Sequence, residues 1–291
     1  MDTPYRIIDV KPLSGALGAE IEGVDIASEI SEEQFAEIHR AFADFSVILF
    51  RNQSLTQEQH IAFARRWGDI NVNRFFTGVA ENSIIAEVRK EPDQETNIGR
   101  NWHTDHSYDT IPALGSILYA REVPEFGGDT MFASMYRAYE TLSPGMRKTL
   151  ENLNALHSSR HVFGAMNGRK PDQSGRIGNP ELATQDAVHP LIIRHPITGR
   201  KALYANPVFT VQIEGWTKEE SQPLLQYLYQ HASHPDFTCR IRWERDTLAI
   251  WDNRATWHCA LNDYQGQRRL MHRITIEGVP LKRCTTATAV H

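Results

Sequence analysis

The sequence predicts a mixed α+β domain built on a sheet sandwich or barrel. Three observations carry this. Capped amphipathic helices are grouped early in the chain. Strand-like pieces rich in β-branched and aromatic residues are scattered among and after them. The two never fall into the βαβ rhythm that a parallel sheet requires. No internal repeat or low-complexity linker marks a boundary, so one domain is expected over residues 1–283, followed by a disordered tail, "CTTATAVH", at 284–291.

Taken in order, "SEEQFAEIHRAFADFS" predicts a helix. Ser31 and Gln34 make a capping-box pattern, and Phe35, Ile38, Phe42 and Phe45 recur at helical spacing. "SVILF" follows as a short buried strand. "LTQEQHIAFARRWG" repeats the capped pattern from Thr56 and is expected to stop at Gly68. "LSPGMRKTLENL" offers Ser143 as N-cap and Pro144 at the first helical position. "TKEESQPLLQYLYQHA" offers a second capping box, Thr217 with Glu220. The strand candidates are "GSILYAR", "ALYANPVFTVQI", "DTLAIWDN" and "RRLMHRITIEG". Two stretches, roughly 70–100 and "GAMNGRKPDQSGRIGNPELATQ", are expected to be mobile loops, acting as lids or as plain surface insertions.

Composition narrows the class. The formal net charge of −5 argues against a nucleic-acid surface, where clustered positive charge supplies most of the affinity. Three cysteines (Cys239, Cys259, Cys284) without CxxC spacing argue against a disulfide framework or a thiolate zinc site. The N-terminus lacks a basic-then-apolar signal pattern, and no apolar run is long enough to cross a membrane, so a cytoplasmic protein is expected.

"NWHTDHSYDT" (101–110) places two histidines and two aspartates within seven positions. On a strand, His103 and Asp105 would point to one face, giving an imidazole and a carboxylate side by side. That is two-thirds of a facial triad for non-haem iron(II), and His258 of "DTLAIWDNRATWHCAL" is the candidate for the third ligand. A lone HxD is weak evidence, since chance gives on the order of one in a chain this long. "SHPDF" is the internal control: the proline between His234 and Asp236, and its place after a helix, predict a turn. His106 and Asp109 read as polar strand-end residues. On the strand "QRRLMHRITIEG", Arg269, Met271 and Arg273 share one face while Arg268, Leu270 and His272 share the other. The two arginines are roughly 13 Å apart by strand rise, too far for one carboxylate, so they serve two anions or join surface ion pairs.

These motifs together resemble the iron(II)- and 2-oxoglutarate-dependent oxygenases of the taurine dioxygenase and phenoxyalkanoate-herbicide dioxygenase group. The resemblance spans roughly residues 5–280 and rests on "LGAEIEGVDI", "NWHTDHSY", "EFGGDTMFASMYRAYETLS", "HPITGRKALYANPVFT", "IWDNRATWH" and "QRRLMHR". It implies a double-stranded β-helix (jelly roll) with flanking helices, iron(II) on His103, Asp105 and His258, and 2-oxoglutarate and O2 as co-substrates. It also implies that Arg269 and Thr130 hold the distal carboxylate of 2-oxoglutarate, that Arg273 holds the acidic group of the prime substrate, and that Phe163 and Phe209 wall the pocket. The chain departs from the taurine enzymes at two positions. Asn73 stands where they have a sulfonate-assisting histidine, and Gly99 where they have an asparagine. "HSSRHVFG" and "DFTCRIRW" resemble the phenoxypropionate-cleaving branch instead.

The expected activity is therefore hydroxylation of a small organic anion next to a heteroatom, leaning to an aryloxyalkanoate-type carboxylate, with an organosulfonate or alkylsulfate as the alternative. Neither nucleic acid nor membrane is an expected partner, and self-association into a homo-oligomer stays open. A zinc hydrolase on the same three residues is the rival from another class. It would need a general base and would leave Arg269 and Thr130 without a role.

Overall fold

Apolar alternation along four neighbouring strands sorts side chains onto two faces of one sheet. Ile48, Phe50, Ile117, Tyr119, Leu248, Ile250, Ile274 and Ile276 point one way, against Ile38 and Phe42 of the Glu32–Phe45 helix and Phe63 of the Gln57–Arg65 helix. Val47, Leu49, Leu118, Ala120, Ala249, Trp251 and Met271 point the other way, against Phe132, Cys239, Ile241 and Trp243. A side-chain period of two is what lets one sheet bury both faces. Each large apolar group so buried contributes about 1.5–3 kcal/mol to the folded state.

The computed structural model describes residues 4–76, 78–79, 82–164 and 177–284. Among them the main sheet has nine strands, with Val47–Phe50, Leu248–Asp252, Gly115–Glu122, Arg269–Ile276 and Asn82–Lys90 adjacent in that order. The facing layer is a three-stranded sheet with Thr130–Ser134 between Thr238–Ile241 and Thr256–Ala260. The two layers make the jelly-roll sandwich, with helices covering the outer face of the large sheet. A second core lies beyond one end, where the Met135–Glu140 and Lys218–Ala232 helices pack with Ile192, Ile193 and Trp257. Among the described residues no helix is long and apolar enough to cross a membrane.

The cap chemistry is realised at Thr56, Ser143 and Thr217 and only by half at Ser31, where the Gln34 side chain donates to the Gly23 carbonyl at 3.3 Å instead of closing the expected box. Thr56 and Thr217 form complete capping boxes with Gln59 and Glu220, and Ser143 accepts from the Met146 N–H with Pro144 at the helix start. Ser31 accepts from the Gln34 N–H.

Four expectations need correction. The Gln57–Arg65 helix stops at Arg66, short of Gly68, because the chain tightens into turns at Phe63 and Ala64 before the glycine is reached. The stretch 70–100 is not one loop, since Asn82–Lys90 is a nine-residue strand inside the main sheet. Glu87 and Arg89 conceal its alternation by pairing with each other along the strand at 2.8 Å. "ALYANPVFTVQI" is broken into Lys201–Leu203 and Thr210–Ile213 by a turn, in which the Asn206 carboxamide oxygen accepts the Phe209 N–H at 2.8 Å. Cys284 is buried in the second core, so the expected tail cannot start there; residues 285–291 lie outside the described residues, as do 165–176 of the second expected loop.

Candidate active site

His103 and Asp105 do not lie on a continuous strand. His103 makes a single antiparallel bridge to His258, N to O at 3.0 and 2.8 Å in the two directions. The chain then turns, with His106 in the left-handed region (φ 57°) and the Asp109 N–H bonded to its carbonyl. The bridge and the turn together bring about what a strand would have done. His258 comes from the Thr256–Ala260 strand of the facing sheet, so the bridge ties both histidines to one backbone step.

Donor atoms of His103, Asp105 and His258 all lie within 4.8 Å of one another, and all three residues are buried. His103 Nε2 is 3.7 Å from Asp105 Oδ1, and His258 Nε2 is 3.8 Å from Asp105 Oδ2. His103 Nδ1–H donates to the Asn101 carbonyl at 2.7 Å, which fixes the tautomer and leaves the Nε2 lone pair facing the carboxylate. His258 Nδ1 has no hydrogen-bond partner among the described residues; ring contacts hold it instead, with Trp251 at 4.8 Å and Phe132 at 6.0 Å between centroids.

The protonation states suit a metal. Burial holds both imidazoles below their ordinary range, His258 well below, so they are neutral donors. Burial alone would raise Asp105, but the Arg273 guanidinium beside it leads the opposing effects and holds the carboxyl well below the usual carboxylate range. Two neutral imidazoles and one carboxylate on the wall of an open cavity fit a divalent ion with positions to spare. His234, the control, is exposed and caps the Pro235–Phe237 turn, accepting the Asp236 N–H at 3.3 Å.

The three residues open on a cavity of about 960 Å³, which Thr130, Arg269 and Arg273 also line. The strand-face reading holds: along Arg269–Ile276 the side chains of Arg269, Met271 and Arg273 are buried while Leu270 and His272 are half-buried. Arg269 is fully enclosed, yet its Nε and Nη2 have no hydrogen-bond partner among the described residues, and burial lowers its pKa. Thr130 Oγ1 accepts the Trp243 indole N–H at 2.9 Å, which leaves its own proton free to donate into the cavity. A buried guanidinium with two donors unpartnered among the described residues, lining the same cavity as a free hydroxyl, suits a carboxylate, because leaving such a charge unpaired is costly. Gly128 borders it: a Cβ there would meet Arg269 Cδ at 3.3 Å, and its φ is +69°.

Arg273 Nη1 lies 3.3 Å from Asp105 Oδ1, and its guanidinium sits 4.6 Å from the centre of the Phe76 ring. Phe163 and Phe209 line the cavity and share an aromatic wall with Phe75 and Tyr108. Phe163 stacks on Phe75 at 4.2 Å, and Tyr108 meets Phe209 edge-on at 4.9 Å. Sequence reasoning missed Tyr108, Phe76 and Trp243; only Tyr108, three residues after Asp105, carried a positional hint. Asn73 also lines the cavity, with its carboxamide oxygen accepting the Phe75 and Phe76 N–H groups at 2.9 and 3.1 Å. His106 and Asp109 are not in the donor cluster; they pair with each other at 2.9 Å, and Arg74 joins Asp109 at 2.9 Å. Gly99 is explained by space: a Cβ there would come within 3.2 Å of the His103 ring, and its φ is +79°.

The family model described as taurine catabolism dioxygenase TauD, TfdA family, matches residues 9–275. The chain belongs to the TauD/TfdA dioxygenase family. This dioxygenase is 32% identical over 282 residues to an alkylsulfatase of Acinetobacter baylyi, covering 96% of this chain and 87% of that one. It is 31% identical to an alpha-ketoglutarate-dependent sulfate ester dioxygenase of Pseudomonas putida, covering 93% and 90% of the two chains. Among solved structures, a taurine dioxygenase from Burkholderia xenovorans superposes with a TM-score of 0.81 at 32% identity, covering 96% and 94%. AAD-2, in complex with Mn(II) and N-oxalylglycine, gives 0.78 at 27% identity, covering 94% and 98%. As a member of this family, the enzyme is an oxidoreductase that depends on iron(II), O2 and 2-oxoglutarate (alpha-ketoglutarate), and the donor set and the arginine site above fit the metal and the co-substrate.

Proposed function

We propose that this dioxygenase hydroxylates an organic oxyanion at a carbon next to a heteroatom, with His103, Asp105 and His258 holding iron(II), and Arg269 with Thr130 holding the distal carboxylate of 2-oxoglutarate. The carrying observation is the arginine pair on one buried strand face, one with two donors unpartnered among the described residues and the other beside Asp105. When bound, iron with 2-oxoglutarate and O2 supplies the oxidation: succinate and CO2 form, and one oxygen atom goes to a substrate C–H. Arg273 takes the anionic head of the substrate. Phe163 and Phe209 take its apolar body and keep water from the reacting carbon. A carbon hydroxylated next to an ester or ether oxygen collapses to a carbonyl compound, releasing the heteroatom group as sulfate or as a phenol.

The alkylsulfatase and sulfate ester relatives favour a sulfate ester or sulfonate head. The aromatic wall of Phe163, Phe209 and Tyr108 favours a second reading, an aryloxyalkanoate carboxylate. Either head is an anion on Arg273 and differs from taurine in carrying a larger apolar body. Coupled succinate release with hexyl sulfate, a phenoxyalkanoate, taurine and the neutral ester of the phenoxyalkanoate tests both. Removing one partner of a buried charge pair costs about 2–5 kcal/mol. Arg273→Ala is therefore expected to weaken use of the anionic substrate by at least about tenfold while 2-oxoglutarate binding changes by less than about twofold. A neutral ester consumed as fast as its acid would remove Arg273 from the anion role. Taurine as the best substrate would overturn the reading of Asn73 and Gly99.

A further inference from the structure

Asp105 is gripped at both oxygens. Ser116 Oγ donates to Oδ2 at 2.8 Å, while Arg273 Nη1 lies 3.3 Å from Oδ1. The two donors differ in what else can claim them. Arg273 lines the cavity and its Nε has no partner among the described residues, so a substrate anion competes with Asp105 for it. Ser116 is fully buried on the Gly115–Glu122 strand and does not line the cavity, so no ligand reaches its hydroxyl.

The direction of the Ser116 bond is itself fixed. Asn253 Oδ1 accepts the Trp251 indole N–H at 2.9 Å, which settles the sense of the amide. The Asn253 NH2 group therefore points to Ser116 Oγ, at 3.5 Å, and the hydroxyl proton is left for Asp105. Asn253 also joins the segments that carry the three donors. Its carbonyl accepts the hydroxyl of Thr104, between His103 and Asp105, at 2.5 Å, and its N–H donates to Leu114, just before the Ser116 strand, at 3.0 Å. It opens the turn that leads into the His258 strand, and Trp251 packs on the His258 ring.

We propose that Ser116 is a positioning residue that fixes the Asp105 carboxylate for the metal, through a hydroxyl oriented by Asn253 and out of reach of the substrate. The proposal rests on the reading of Asp105 as a metal ligand. It explains how the carboxylate keeps its rotamer when Arg273 is drawn to a substrate anion.

Metal affinity tests it directly, without turnover. Mn(II) binding to the full-length metal-free protein is measured for wild type, Asp105→Ala, Ser116→Ala and Ser116→Cys, together with the visible spectrum of the Co(II) forms. Outer partners of metal ligands are worth about 10–100-fold in affinity, so Ser116→Ala is expected to weaken Mn(II) binding by about that factor and to change the Co(II) spectrum. Ser116→Cys fills the same space with a weaker donor and is expected to fall between serine and alanine; a purely space-filling role would leave it at wild type. If Asp105→Ala loses Mn(II) while both Ser116 variants stay within about twofold of wild type, the positioning role is wrong and the ligand reading stands. If Asp105→Ala binds as wild type does, the ligand reading fails and the proposal falls with it. Should Ser116→Ala not fold, Ser116→Cys decides alone, by the same twofold limit.

Discussion

Alanine in place of His103 or His258 is expected to abolish succinate release and iron retention while leaving the protein folded. Each substitution removes one of the three donors clustered among the described residues, and the two that remain cannot hold a divalent ion against water and buffer. The fold should survive because the bridge between the two residues is made by backbone atoms, which alanine keeps. His234→Ala, in the other His-x-Asp, should leave turnover and iron content near wild type, since its side chain is exposed and serves only a turn. Succinate release, bound iron and a thermal melt on the three variants make the comparison. Iron kept by His103→Ala and lost by His234→Ala would reverse the assignment.

The next largest effect belongs to the co-substrate. Arg269→Ala should weaken 2-oxoglutarate binding by more than about tenfold, since an unpaired buried carboxylate costs about 2–5 kcal/mol and the lower end of that range is already about thirtyfold. Arg268→Ala is the matched control, one residue away and on the opposite strand face. Its guanidinium is already engaged with Glu91, at 3.0 Å, and with Glu122, at the partly exposed edge, where such pairs contribute little. Calorimetric titration of the metal-loaded proteins separates the two, and equal losses would defeat the strand-face argument.

A period of two in "RRLMHRITIEG" places Arg269 and Arg273 on one face and Arg268 on the other, and the structure shows the first face to be the buried one; the local cap patterns at Thr56, Ser143 and Thr217 are equally legible in the sequence. Such signals are short-range, set by residues two to four apart. What stayed hidden depends on distant neighbours. The Asn82–Lys90 strand carries Glu87, Arg89 and Lys90 in its second half, and it is a strand because Arg269–Ile276 pairs with it, residue 269 opposite 90 and 273 opposite 86. Trp243 and Ser116 matter through Thr130 and Asp105, whose positions relative to them no local pattern encodes. The HxD motif led to residues that the structure does bring together, by a partly different route: a bridge and a left-handed turn at His106 do the aiming that a strand was expected to do.

The central claim is that one buried site takes iron(II) on His103, Asp105 and His258 and 2-oxoglutarate on Arg269 and Thr130. Anaerobic titration of the iron-loaded protein with 2-oxoglutarate, followed by visible absorption, measures both at once. The account predicts a charge-transfer band that saturates with 2-oxoglutarate, is absent in His258→Ala, needs far more 2-oxoglutarate in Arg269→Ala, and is perturbed when an anionic substrate is added. A protein that binds iron but gives no band with 2-oxoglutarate, or gives the same band at the same concentration without Arg269, would contradict it.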